Sequence, residues 1–294
     1  MASSDCCFST TSSCAETQRA RPALGTFVHI SAIGPDSETV ERAIENAFDA
    51  IEQVERLMSF HDQNSELSRL NRDAHRQTQT VDPWTYAVLR RAIQLAKLSD
   101  GAFDITVAPV LVAAGLLPRT ETTAAAYGNW RSVELLSDNR VYFRQPILLD
   151  LGGIAKGFAV DQAIHALRRG DCTDAIVNAG GDLRRYGKER HPVYLRRATG
   201  PVQVAELRCG AIATSSPPTT IPDRLAQPIG CIIDPKQQRA WRGTASVMVA
   251  ARSCMIADAL TKVAALAGPS CQPLLDRFGA QAMWDVEDND PPAD

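Results

Sequence analysis

Apolar residues in the stretch 40–58 recur every three or four positions: Val40, Ile44, Ala47, Phe48, Ile51, Val54 and Met58 fall on one side of a helix. The spacing predicts a long amphipathic helix, preceded by a short strand in which Val28 and Ile30 alternate with His29. A second helix is predicted to start at Asp82-Pro83, a side-chain cap followed by a proline whose missing N–H is not needed in the first turn. Tyr86, Leu89, Ile93 and Ala96 carry its stripe, and Gly101 ends it. Helical spacing also fits 156–169 and 256–267. Strands are predicted over 147–151, 175–177, 204–207, 229–233 and 246–250. They come in groups instead of alternating with helices, so the pattern predicts an α+β fold with mixed or antiparallel sheets and packed helices.

The chain of 294 residues is long enough for one compact unit, expected over 21–285. Residues 1–20 are polar and rich in Ser and Thr and read as a disordered tail, and 286–294 read as an acidic, solvated C-terminal tail. A net charge of -3, with 22% of residues charged, argues against a nucleic-acid partner, which calls for a concentrated basic surface. No apolar run approaches the roughly 18 residues of a membrane span. The start lacks the basic residues and apolar centre of an export signal, so a cytoplasmic location is expected. Eight cysteines form no C-x-x-C pair and have no suitably spaced histidines, which suggests reduced thiols over a zinc site.

Four segments carry polar or glycine residues where the pattern otherwise predicts core. In 148–167, LLDLGGIAKGFAVDQAIHAL, a strand passes through Gly152 and Gly153 into a helix with Lys156 in its first turn. That is either a tight turn or a place where backbone N–H groups approach a phosphate. In 58–71, MSFHDQNSELSRLN, the polar crowd of His61, Asp62, Asn64, Ser65 and Glu66 fits either a site or the caps of a short new helix. In 101–109, GAFDITVAP, Asp104 stands between apolar residues. In 251–266, ARSCMIADALTKVAAL, Asp258 and Thr261 share a helix face. They suit either a hard-cation site or a carboxylate placed for the helix dipole. NAGGD, 178–182, adds a second Gly-Gly after a strand. The nucleotide-binding patterns G-x-x-x-x-G-K-[ST] and G-x-G-x-x-G are missing, as is G-x-S-x-G.

Taken in order, ALGTFVHI, MSFHDQNSELSRLN, GAFDITVAPVL, LDLGGIAKGFAVDQA, VNAGGDLRRYG, AIATSS, IIDP and ADALTK resemble the ApbE-type family of FAD:protein FMN transferases, from about Pro22 to Met283. The resemblance implies an FAD substrate, Mg²⁺, and transfer of FMN to a Thr or Ser hydroxyl of an acceptor flavoprotein with release of AMP. It implies that Leu24, His61, Ala102, Phe103, Asp104, Gly152, Gly153, Phe158 and Ile232 line the flavin-nucleotide pocket. It also implies that Asp258, with Thr261 and the Ala155 carbonyl, holds the metal. Lys156 is expected to bring positive charge to the diphosphate. Two departures stand out. Cys231 takes the place of a family histidine, leaving His61 or Asp234 as the base for the acceptor hydroxyl, and Lys262 takes the place of a family threonine. A Mg²⁺-dependent FAD pyrophosphatase and a non-catalytic FAD-binding protein are the alternative expectations.

Overall fold

The structure, a computed structural model, describes residues 14–120, 128–197, 200–216 and 232–285. Strands β1 (Ala15–Ala23) and β2 (Thr26–Gly34) form a hairpin, and helix α1 (Ser37–Met58) follows under an Asp36 cap. The chain continues through α2 (Glu66–Asp73), β3 (Gln79–Thr80), α3 (Pro83–Leu98), α4 (Ala108–Ala113), β4 (Val133–Leu136) and β5 (Arg140–Phe143) to α5 (Ala155–Arg169). The second half holds β6 (Asp174–Ala179), β7 (Asp182–Tyr186), β8 (His191–Arg197), β9 (Gly200–Leu207) and β10 (Gly210–Ser215). Then come β11 (Ile233–Asp234), β12 (Arg239–Ala240), β13 (Ser246–Ala251), α6 (Cys254–Ala267), α7 (Gln272–Phe278) and β14 (Gln281–Asp285).

Seven strands make the main sheet in the order β1-β2-β6-β7-β10-β13-β14, and every neighbouring pair is antiparallel. Helices α1, α5 and α6 lie side by side across one face, α1 over β1 and β2, α5 over β6 and β7, and α6 over β10 and β13. The main core fills this layer, with Val28 and Ile30 of β2 buried against Ile44, Phe48 and Ile51 of α1 in the same cluster. The ribbon β8-β9 adds a satellite core, in which Val193 and Leu195 pack with Leu183, Ile212 and Met248. The architecture is α+β, as the grouping of strands predicts.

Several expectations about elements need correction. The stretch 147–151 is buried but is not a strand. Asn71 takes its place as partner, donating from Nδ2 to the Leu149 carbonyl at 3.0 Å and accepting the Leu149 N–H at Oδ1 at 2.8 Å. A fully apolar run lacks the alternation that distinguishes a paired strand from a buried extended segment. Residues 15–20, expected to belong to a disordered tail, are strand, because β1 pairs with β2 along its whole length. Residues 1–13, 286–294 and the site of Cys231 lie outside the described residues, as does most of the predicted strand 229–233. Among the described residues, no helix is long and apolar enough to cross a membrane.

Candidate functional site

Helices α5 and α6 meet at their N-terminal ends, and glycine makes the approach possible. A Cβ on Gly157 would stand 2.3 Å from the Cys254 carbonyl oxygen, well inside contact distance, so only hydrogen fits there. Neither helix relies on its own residues alone for capping. The Gly157 N–H in the first turn of α5 donates to Asp258 Oδ2 of α6 at 3.1 Å. The Cys254 and Met255 N–H groups opening α6 donate to the Asp161 carboxylate of α5 at 2.8 and 3.1 Å. Arg184 of β7 pairs with the same carboxylate at 2.6 Å, neutralising a buried charge.

The Asp258 carboxylate is fully buried, and its second oxygen, Oδ1, is taken by the Lys262 ammonium one helical turn further on. Lys262 Nζ also donates to the Asp258 carbonyl at 3.1 Å. Thr261 Oγ1 donates to that same carbonyl at 2.7 Å and shares a hydrogen bond of 2.8 Å with Ser215 Oγ. The stem of Lys262 lies against the 152–153 turn: a Cβ on Gly153 would meet Lys262 Cε at 3.4 Å and the Phe103 ring at 3.7 Å. Lys156 in the first turn of α5 pairs with Asp182 Oδ2 at 3.0 Å. Asp182 opens β7 directly after Gly180 and Gly181, whose φ of +63° and +103° are left-handed values that favour glycine.

The Asp150, Asp182 and Asp258 carboxylates and the Lys156 and Lys262 ammonium groups thus share a small volume, and the ionisation of Asp150, Lys156 and Asp182 responds. Burial, reinforced by the Asp258 charge, pushes the Asp182 carboxyl up to about 6, against the opposing pull of Lys156 and Lys262. Burial also raises the Asp150 carboxyl, while the Gly152 N–H, His61 and Lys262 pull it down. Burial disfavours the charged form of Lys156, yet the Asp182 and Asp258 carboxylates outweigh this and hold the ammonium above the ordinary lysine value.

Of the residues singled out from sequence, Gly152, Gly153, Phe103, Ala155, Lys156, Asp258 and Thr261 gather at this junction, and His61 lies within the field felt by Asp150. Gly152 and Gly153 are not in left-handed conformations; their place is explained by room for Lys262 and for the Asp150 carboxylate, 3.2 Å from a Cβ on Gly152. His61 is exposed and borders an open depression with Glu52, Glu55 and Asp62. The polar residues after it serve as caps: Ser65 Oγ accepts the Ser68 N–H of α2 at 3.0 Å. Asp104 is buried and organises its own loop, accepting from the Thr106 N–H at 2.9 Å and the Trp130 N–H at 3.2 Å. Burial raises its carboxyl, partly offset by those bonds.

The remaining candidates lie in other settings. Leu24, at φ 55°, and Gly25, at φ 70°, form the two-residue turn of the β1-β2 hairpin. Phe158 points into the core edge-to-face with Trp84, ring centroids 5.9 Å apart. Ala102 is half-buried against the core. Ile232 is buried and its carbonyl accepts from the Trp241 N–H at 2.8 Å. Asp234 Oδ1 accepts the Lys236 and Gln237 N–H groups at 2.9 and 3.0 Å, so its carboxylate shapes the turn between β11 and β12. Sequence reasoning missed Asp150, Asp161 and Asp182. For Asp150 and Asp182 the available signal was an aspartate beside each Gly-Gly pair.

Magnesium prefers several free oxygen donors around it. Here Asp258 is the one carboxylate among the expected ligands, both its oxygens are already bonded, and a like-charged ammonium sits on it. Thr261 Oγ1 is bonded twice. The donor set fits an ammonium and does not fit a divalent ion while Lys262 stands there.

Fold and site together define an α+β protein with a charged, glycine-walled junction between two helix N-termini. The chain belongs to the ApbE family, whose pattern matches residues 24–284. It is 30% identical to the FAD:protein FMN transferase of Vibrio cholerae over 262 residues, covering 81% of this chain and 78% of that one. It is 28% identical to the FAD:protein FMN transferase of Treponema pallidum, covering 92% and 84% of the two chains. Among solved structures it resembles the flavin transferase ApbE from Vibrio cholerae, with a TM-score of 0.77 and 25% identity over 95% of this chain and 96% of that chain. It also resembles the ApbE protein of Thermotoga maritima, with a TM-score of 0.75 and 27% identity over 92% and 94%.

Proposed function

We propose that the chain transfers the FMN half of FAD to a Thr or Ser hydroxyl of an acceptor protein and releases AMP. The observation that carries this reading, beyond family membership, is the pair Lys156 and Lys262. Both ammonium groups stand at the 152–157 turn, where glycines keep the wall low. Phosphoryl transfer asks little covalent chemistry of a protein; positioning and cancellation of charge on the phosphate oxygens do most of the work. The two lysines supply that charge to the diphosphate. The acceptor oxygen bonds to the FMN-side phosphorus as the bond from that phosphorus to the bridging oxygen breaks. AMP leaves with the bonding electrons, and the hydroxyl proton passes to a base.

His61 is the better base of the two candidates, since it is exposed beside the cluster, whereas Asp234 already accepts two backbone N–H groups. Leu24, Ala102, Phe103, Asp104, Phe158 and Ile232 are the candidates for contact with the flavin half. For Mg²⁺ the candidates are Asp258, Thr261 and the Ala155 carbonyl; as the Asp258 and Thr261 oxygens are bonded here, no step is assigned to a metal.

The test is incubation of the protein with FAD and an acceptor domain carrying a target threonine, with Mg²⁺ and with EDTA in parallel. The expected result is flavin fluorescence that stays with the denatured acceptor, together with AMP. FMN and AMP without labelling would identify a pyrophosphatase, and FAD recovered intact would identify a binding protein.

A further inference from the structure

We propose that Lys262 is a built-in cation: its ammonium occupies the position on Asp258 that a divalent ion would need and binds the FAD diphosphate without metal. This rests on the reading of the junction as an FAD site.

The geometry is local and needs no rearrangement. Lys262 follows Asp258 by four residues on α6, the spacing at which side chains on one helix face meet. Its Nζ bonds to both Oδ1 and the main-chain carbonyl of Asp258. The stem is held in a slot shaped for it, with Gly153 offering no side chain and the Phe103 ring beyond. An ammonium has three N–H donors, and these two bonds leave one for a phosphate oxygen. The Lys262 side chain keeps 23% of its surface exposed although its partner Asp258 is at 0%, so the lysine, unlike the carboxylate, borders space open to a ligand.

Electrostatics favour the same assignment. A carboxylate already in contact with an ammonium offers little net attraction to a divalent ion, which would also meet that ammonium as a like charge at short range. The buried Asp258 charge would be left uncompensated if the lysine swung away without replacement. The other oxygen donors are engaged, Thr261 with Ser215 and with the Asp258 carbonyl, so displacing Lys262 would gain a divalent ion few ligands. Lys156, paired with Asp182, provides a second cation for the same diphosphate.

Mn²⁺ serves as the probe, its free-ion paramagnetic resonance signal falling when it is bound. The full chain, Lys262→Thr and Lys262→Met are titrated with Mn²⁺, alone and with FAD, and FAD affinity is measured by quenching of flavin fluorescence in EDTA and in Mg²⁺. The unaltered protein is expected to take up no Mn²⁺ at millimolar concentration and to bind FAD with the same affinity, within about twofold, in EDTA and in Mg²⁺. Lys262→Thr is expected to take up one Mn²⁺ and to gain about tenfold or more in FAD affinity from Mg²⁺. Lys262→Met, lacking charge and hydroxyl alike, should take up Mn²⁺ more weakly than the threonine variant but more tightly than the parent. Uptake of Mn²⁺ by the unaltered protein as tight as by Lys262→Thr, or loss of its FAD binding in EDTA, would overturn the assignment. If no protein binds FAD under any condition, the flavin reading fails, and the Mn²⁺ titrations alone decide the role of the lysine.

Discussion

Asp161 and Asp258 cap each other's helices: the first sits on α5 and holds the opening N–H groups of α6, while the second sits on α6 and holds the Gly157 N–H of α5. The exchange fixes the two N-terminal ends against each other and so fixes the distance between the 152–157 turn and Lys262. Removing Asp161 takes away two charge-assisted caps and leaves the part-buried Arg184 without its partner. Asp161→Ala is therefore expected to destabilise the fold by about 3 kcal/mol, the size found when one member of a buried pair is deleted. Asp161→Asn, which can still accept hydrogen bonds, should lose less. Urea denaturation of the three proteins checks the order; equal midpoints would dismiss the reciprocal cap as a source of stability.

Gly157 is the steric counterpart of that exchange. An added methyl would collide with backbone, the Cys254 carbonyl, which cannot swing aside like the end of a flexible side chain. Gly157→Ala is expected to cost about 1–3 kcal/mol, as overpacking does, and to weaken FAD binding by moving α6 away from the turn. Gly25→Ala serves as the comparison, since a Cβ there meets no atom within 4 Å although its φ of +70° is strained. If both variants melt alike but only Gly157→Ala loses FAD affinity, the helix junction is what the ligand reads. Unchanged FAD affinity in Gly157→Ala would show that this spacing does not matter to binding.

What the sequence made legible follows from how local the signal is. Helices α1 and α3 announce themselves through one-sided apolar stripes and, for α3, an Asp-Pro start, because neighbours within a few residues carry the whole message. The Asp258–Lys262 pairing carries an equally local signal, as helix neighbours four apart, although on sequence alone Asp258 is joined with Thr261 instead. Strand β1 is not, since in AETQRARPA only Thr17 is buried and the strand exists through pairing with β2 along the sheet edge. Asp161 could not be read either: its partners Cys254 and Arg184 are 93 and 23 residues away, and a carboxylate in the middle of a helix gives no sign of them. Asp150 and Asp182 carry only the weak signal of an aspartate beside each Gly-Gly pair; their burial beside other charges depends on tertiary packing.

The Asp182 carboxyl gives a pH dependence whose sign can be stated. Its folded-state value of about 6 lies above the ordinary 3.8, so between these the folded protein holds a proton that the unfolded chain lacks. This group therefore favours folding at low pH, and that contribution is lost as pH rises through about 6. The same proton bears on the ligand: a neutral Asp182 releases Lys156 to an anionic diphosphate and removes a repulsive charge. FAD affinity is expected to tighten as pH falls through about 6 in the unaltered protein and to lose that step in Asp182→Asn. Fluorescence titrations between about pH 5 and pH 8, a window that spans this carboxyl, check it; parallel profiles in the two proteins would assign the proton elsewhere.

The base for the acceptor hydroxyl can be separated from the groups that only shape the fold. His61 is exposed next to α1's end and within the field of Asp150, while Asp234 spends one carboxylate oxygen on the turn between β11 and β12. His61→Asn is expected to slow covalent labelling of the acceptor by about a hundredfold or more at saturating FAD, the usual contribution of a general base, whatever it does to FAD affinity. Asp234→Asn should change the rate only by a few fold, any loss tracking a lower melting temperature of the protein. A loss of about a hundredfold in Asp234→Asn, with labelling by His61→Asn little changed, would reverse the two roles.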